Sequence, residues 1–246
     1  MIIAEIGLNH RGSYELAEQY VTSLLATDVD AITFQIREPE FYVGNFQNFK
    51  LSLDEYHKLR IKIKQSGKLF GIAISDASFM FHIDVDIVKI LSKDLEDLSF
   101  IEKITDFITN ESVFLSTGMS DFNTINTTLN FCKNKGVRNI KLIHTRLSNS
   151  VKDVNLKAIE TMRSRFGDII AFGNHCENPA VIYTSIAYNP TDYYFYVKHN
   201  EEVDHPDDLH AVYLEDVQKY CKNISDLKFT IGSGLKNNTN NIIEEQ

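Results

Sequence analysis

Apolar residues along the chain fall into short, β-branched runs separated by longer stretches of helical periodicity. The runs are Ile2–Ile6, Ala31–Gln35, Leu69–Ile74, Ile87–Leu91, Val113–Ser116, Ile140–His144, Ile169–Phe172 and Tyr193–Lys198. Their near-continuous hydrophobicity marks strands covered on both faces, as in a parallel sheet. After the first run, Leu16, Ala17, Tyr20, Val21, Leu24 and Leu25 recur at helical spacing. Ser52-Leu53-Asp54-Glu55 reads as a capping box opening a helix that ends near Gly67. Further helical patterns cover Ile101–Ile108, Ile125–Asn134, Leu156–Arg165, Ala180–Tyr188 and Leu214–Tyr220. Eight strands alternating with helices predict an α/β chain closed as a (β/α)8 TIM barrel, and no GxGxxG or P-loop follows any strand to favour an open nucleotide-binding sheet. Only twelve residues separate Ile74 from Ile87, too few for a helix with two loops, so the third helix is expected to be shortened or missing. The barrel is expected to occupy residues 1–235, with 236–246, rich in Asn and acidic residues, as a frayed tail.

Composition narrows the partners. A chain of 246 residues with 43% hydrophobic residues can bury one large core. A net charge of −9 without a compensating basic run argues against nucleic acid or a membrane surface, so an anionic substrate would need a local positive site. Cys132, Cys176 and Cys221 are odd in number and lack CxxC spacing, which predicts a reducing compartment and no disulfide framework. The opening residues carry no basic leader region, and no apolar run reaches the ~20 residues of a membrane span, so a soluble, cytoplasmic protein is expected.

Barrel strands converge at their C-terminal ends, where catalytic groups gather. Those ends carry Glu5, Gln35, Lys89, Ser116, His144, His175 and His199. One polar residue at a strand end is most often a hydrogen-bonded structural group, but its repetition on so many strands marks a site. His175 and His199 end neighbouring strands, and two neutral imidazoles are able to hold a divalent ion while leaving positions open to substrate; Cys176 reads as packing. Lys89, Ser92 and Asp94, with Ser116-Thr117-Gly118, combine a cation, hydroxyls and free backbone N–H groups in the manner of a phosphate cradle. Ordinary turn chemistry is the bland alternative.

Several segments occur in an order that resembles the sialic acid synthase (N-acetylneuraminate synthase) family. They are Ile3-Ala4-Glu5-Ile6-Gly7 with Asn9-His10 and Gly12, Phe34-Gln35, Val88-Lys89-Ile90 with Ser92 and Asp94, Leu115-Ser116-Thr117-Gly118-Met119, Asp153-Val154-Asn155-Leu156, Gly173-Asn174-His175, Lys198-His199 and Pro206-Asp207, spanning Ile2 to about Lys236. The resemblance implies condensation of phosphoenolpyruvate with an N-acylated amino sugar of the N-acylmannosamine type, giving a nonulosonic acid and phosphate. It implies a divalent ion, Mn2+ or Mg2+, on His175 and His199 that polarises the sugar aldehyde. Phosphoenolpyruvate would be held by Lys89, Ser92 and Ser116, and the sugar by Gln35, Asn155 and Asp207, with Glu5, Asp94 and Asp207 as the catalytic carboxylates.

Departures from the family pattern set further expectations. Thr33 stands where the family has Lys, and Arg146, in a shortened loop after the sixth strand, is expected to restore that cation in the phosphoenolpyruvate site. Asp76-Ala77-Ser78-Phe79-Met80 replaces Ser-Thr-Pro-Phe-Asp, and Asn174 replaces an Asp. The family's C-terminal antifreeze-protein-like domain is expected to be absent after Gly234. Closure over the sugar would then come from the loop Ile36–Ser52, from a homodimer, or from a separate chain. Two alternatives stand beside the synthase reading. One is a degenerate, non-catalytic barrel acting as a binding or assembly subunit, which the departures favour. The other is a metal-dependent aldolase, which would need no phosphate cradle.

Overall fold

A computed structural model of the chain describes residues 1–199 and 205–234. Its first half holds β1 (Ile2–Gly7), α1 (Tyr14–Leu25), β2 (Ala31–Ile36), α2 (Leu53–Gln65), β3 (Leu69–Ile74), β4 (Ile87–Ile90), α3 (Leu98–Thr105) and β5 (Ser112–Ser116). There follow α4 (Phe122–Asn134), β6 (Ile140–His144), α5 (Ala158–Phe166), β7 (Ile170–Gly173), α6 (Ala180–Ser185), β8 (Tyr193–Lys198), β9 (Val212–Tyr213) and α7 (Val217–Thr230). Strands β1 to β8 pair in sequence order, each parallel to the next, and β1 pairs with β8 to close the ring. This is the (β/α)8 barrel expected from the pattern. Short β9 pairs in parallel with the last residues of β8, Val197 and Lys198.

Each strand sends alternate residues to opposite sides. The outward residues pack with the helices in one large apolar cluster. Inside the ring, Ile3, Ala31, Ile87, Phe114, Ile143, Ala171 and Tyr194 form a second cluster, with Leu69 packed against it. Every strand therefore supplies one residue to a plug that seals the N-terminal end, and whatever follows at steps of two points into the mouth above it.

The helices form for identifiable local reasons. At α2 both arms of the capping box are present, Glu55 N donating to Ser52 Oγ and Ser52 N donating to Glu55. The third unit holds a 3-10 turn, Ala77–Phe81, in place of a helix; Asp76 caps it at Ser78, and Phe79 and Met80 are buried beneath it. Helix α7 runs to Thr230, beyond the expected end near Tyr220, because Ile224 continues its buried stripe. The three cysteines are free and buried. Among the described residues no helix is long and apolar enough to cross a membrane. The expected tail, 236–246, lies outside the described residues.

Candidate active site

Two residues beyond the apolar plug, the inward positions become polar: Glu5, Thr33, Lys89, Ser116, Thr145 and Tyr196 replace hydrocarbon, with glycines at 71 and 173. Gln35, Leu91, Leu147 and His175 follow two residues later, and Arg37 and Lys93 two residues after that. Together with Leu8, Ser92 and Asp207, members of these tiers line a cavity of about 260 Å3 at the C-terminal mouth of the barrel.

On its floor Lys89 Nζ lies 2.5 Å from Glu5 Oε2, with Lys89 4% exposed and Glu5 fully buried. A buried cation without that partner would be costly. The ammonium also faces the rings of Tyr194, at 5.0 Å, and Tyr196, at 5.3 Å. Burial, together with the negative charge of nearby Glu5, pushes the Tyr196 phenol well above the usual range. The second Glu5 oxygen, Oε1, has no hydrogen-bond partner, which leaves an acceptor for a ligand or water. Ser92 Oγ and Ser116 Oγ are 2.8 Å apart, and the Gly118 N–H donates to Ser92 at 3.1 Å.

Asp207 closes the opposite wall. Its backbone N–H donates to Asn9 Oδ1, and Asn9 Nδ2 donates to Val197 O, so the loop after β8 is fastened to β1. Gly7, at φ +58°, makes room for it: a Cβ there would lie 3.0 Å from both Asp207 Oδ2 and the Tyr196 ring. Burial, and then the neighbouring Glu5, push the Asp207 carboxyl up to about 7, against the pull of Lys89 and Arg37. His175 packs its ring on His210, centroids 4.6 Å apart, and on Tyr196 at 5.2 Å. Burial, then His210 and Lys89, hold His175 well below the usual imidazole range, so it is neutral.

Seven of the expected residues, Glu5, Gln35, Lys89, Ser92, Ser116, His175 and Asp207, thus meet at one mouth. Others do not. Arg146 is exposed and, with His144 and Asn155, lines a separate cleft of about 290 Å3 between the strands and helices α4 and α5. Arg146 and Asn155 therefore lie apart from the cavity that Lys89, Ser92 and Ser116 line. His144 Nε2 donates to Val154 O at 3.0 Å. Asp94 turns toward the end of β3, accepting from Ser75 Oγ at 2.5 Å and from Lys93 at 2.7 Å. His199 places its ring 6.1 Å from that of Tyr20 in α1, whose hydroxyl meets the His199 backbone.

The reason is parity. Ile143 and Tyr196 point inward, so His144 and His199, an odd number of positions away, do not share their face. Among the described residues no three His, Cys, Asp or Glu side chains form a group able to hold a metal ion. Of the pair expected for a divalent ion, His175 lies against His210 and Tyr196, while the His199 ring lies beside Tyr20. Lys93 and His210 escaped the sequence reading, and Arg37 entered it only as a group on the loop expected to close over the sugar. Lys93 and His210 lie in 3-10 turns after β4 and after Asp207, where no strand register points to them.

A model of the NeuB family matches residues 18–236. The chain is 28% identical over 247 residues to an uncharacterized protein of Methanocaldococcus jannaschii, covering 96% of this chain and 73% of that one. It is 24% identical over 264 residues to an N,N'-diacetyllegionaminic acid synthase of Campylobacter jejuni, covering 96% and 78%. Among solved structures, the N-acetylneuraminic acid synthetase of Leptospira borgpetersenii superposes with a TM-score of 0.89 at 23% identity, over 99% of this chain and 89% of that one.

Proposed function

The chain belongs to the NeuB family, and on that premise we propose that it condenses phosphoenolpyruvate with an N-acylated amino sugar of the N-acylmannosamine type, giving a nonulosonic acid and inorganic phosphate. The observation that carries the reading is the gathering of Lys89, Ser92 and Ser116 in one cavity with Asp207. A cation and two hydroxyls suit an anionic enol ester, and a carboxyl beside them suits proton transfer. Relatives named as an N,N'-diacetyllegionaminic acid synthase and an N-acetylneuraminic acid synthetase support the same reading.

The chemistry asks for three things. C3 of phosphoenolpyruvate forms a bond to the aldehyde carbon, the aldehyde oxygen takes a proton, and water adds at C2 as the C2–O bond to phosphate breaks. With its carboxyl held at about 7, Asp207 is populated in both protonation states near neutral pH and is matched to deliver the proton to the new alkoxide. Glu5 anchors Lys89 through Oε2, and its free Oε1 is placed to draw a proton from the attacking water. The carboxylate also stabilises positive charge developing at C2. Neutral His175 can accept or donate a hydrogen bond but adds no charge to the wall.

The test is phosphate release from phosphoenolpyruvate with a panel of N-acylated sugars, run with Mn2+ or Mg2+ because the family resemblance implies such an ion. Sugar-dependent release is expected, falling by roughly 100-fold in Ser116→Ala and Asp207→Asn. A chain that binds phosphoenolpyruvate yet releases phosphate with no sugar would instead be a binding subunit.

A further inference from the structure

We propose that Arg37 and Lys93 form a cationic clamp at the cavity rim that receives the phosphate group of the anionic substrate, with Glu38 holding the two cations in register until the phosphate arrives. The proposal rests on the reading above for the identity of the anion. Its own ground is geometric.

Arg37 directly follows β2 and Lys93 lies in the 3-10 turn Ser92–Asp94 after β4, and both line the cavity. Arg37 Nε and Lys93 Nζ converge on one oxygen, Glu38 Oε2, at 3.0 and 3.3 Å, while Arg37 Nη2 takes the other at 3.1 Å. Lys93 also reaches Asp94 Oδ1 at 2.7 Å. A planar guanidinium fork closed on a carboxylate is the same fork that closes on two phosphate oxygens. The guanidinium rests on the Phe41 ring, 4.1 Å from its centroid, and the Arg37 N–H donates to Tyr42 Oη at 3.0 Å. The fork is therefore held before any anion is bound.

Charge makes the clamp necessary. The deepest cation, Lys89, is neutralised by Glu5, and β2 offers Thr33 on its inner face where a cation would otherwise stand. Arg37 brings a cation to the cavity just beyond the end of that strand, four residues further out. Burial opposes ionisation of Glu38, but hydrogen bonds and charge from Arg37, with Lys93, bring it down to about 2, so its carboxylate is ionised at neutral pH. A phosphate dianion brings more charge and more oxygens than Glu38, and so competes for both cations.

Isothermal titration with phosphoenolpyruvate, inorganic phosphate and pyruvate separates the possibilities. Arg37→Ala and Lys93→Ala are each expected to weaken phosphoenolpyruvate and inorganic phosphate about tenfold and to leave pyruvate unchanged. Glu38→Gln frees Arg37 and leaves Lys93 on Asp94 alone, and is expected to tighten phosphoenolpyruvate severalfold; no change there would remove Glu38 from the device. Unaltered phosphoenolpyruvate affinity in both cation variants overturns the clamp and leaves the condensation reading standing. An equal loss for pyruvate assigns the cations to the carboxylate and overturns the phosphate assignment. If the wild-type chain binds inorganic phosphate through these residues but not phosphoenolpyruvate, the clamp stands and the proposed reaction falls. If it binds neither, both fall.

Discussion

Single side chains in this barrel are sorted by parity, and the two strand-end histidines show the consequence. The His175 ring looks across the mouth at Tyr196 and His210, whereas the His199 ring meets Tyr20 in α1. Removing a true ligand or its supporting partner costs a metal site roughly 10–100-fold in affinity. His199→Ala is therefore expected to leave the Mn2+ affinity of the chain within about twofold of the original, measured by electron paramagnetic resonance of free Mn2+. A tenfold loss would mean that the ring crosses β8 when the ion arrives. Asp207 is sorted by a different device, the absent side chain of Gly7, so its seat depends on a residue that carries no chemistry of its own.

Elements of the barrel are held in register by close approaches between loops. The segment joining β2 to α2 folds into two 3-10 turns, Pro39–Phe41 and Gly44–Phe46, with the Phe41 and Phe46 rings 4.7 Å apart. It packs so tightly on the β1–α1 loop that a Cβ at Gly12 would lie 1.6 Å from Asn48 O, at a φ of +77°. Gly12→Ala is expected to destabilise by about 2–4 kcal/mol, through backbone strain and displacement of the loop, and to open residues 42–48 to limited proteolysis. An unchanged denaturation midpoint would show that the loop is not fastened there. This loop also marks the limit of what the sequence discloses. Its length suggested a sugar lid, yet its contribution to the cavity wall is Arg37, at its root. The eight strands, the capping box and the stunted third unit were legible because periodicity and spacing are local. The mouth residues Lys89 and Ser116 were legible because they stand at even steps from inward-facing Ile87 and Phe114. His144 and His199 were misplaced because they stand at odd steps from Ile143 and Tyr196, and Arg146 and Asn155 because they lie in the loop after β6, where no strand register fixes a side chain.

The molecule as a whole buries several groups in their uncharged forms, and this sets its response to pH. Burial holds His10 at about 3 and, with Lys89, His210 at about 4; His175 is also held well below its usual range. Each stays neutral in the fold but takes a proton on unfolding below pH ~6.5, so each loses stability as pH falls. Asp207, pushed up to about 7, acts in the opposite sense, releasing a proton on unfolding between about pH 4 and 7. Three protons gained, with a further part from His144, whose imidazole burial also lowers, against one lost leave a net uptake of at least about two, or on the order of 3 kcal/mol of stability lost per unit between pH 6 and 5. Urea denaturation across that range measures it; a flat profile would show these imidazoles already charged in the native state. The closing pair of strands has a further consequence, in time. The mouth is assembled from β1, β4, β8 and the loop beyond, with contacts such as Asn9 to Asp207 spanning 198 residues. Loop closure over such distances is slow, and local helices need not wait for it. During synthesis, most of the barrel leaves the ribosome before the chain can bind anything at its mouth.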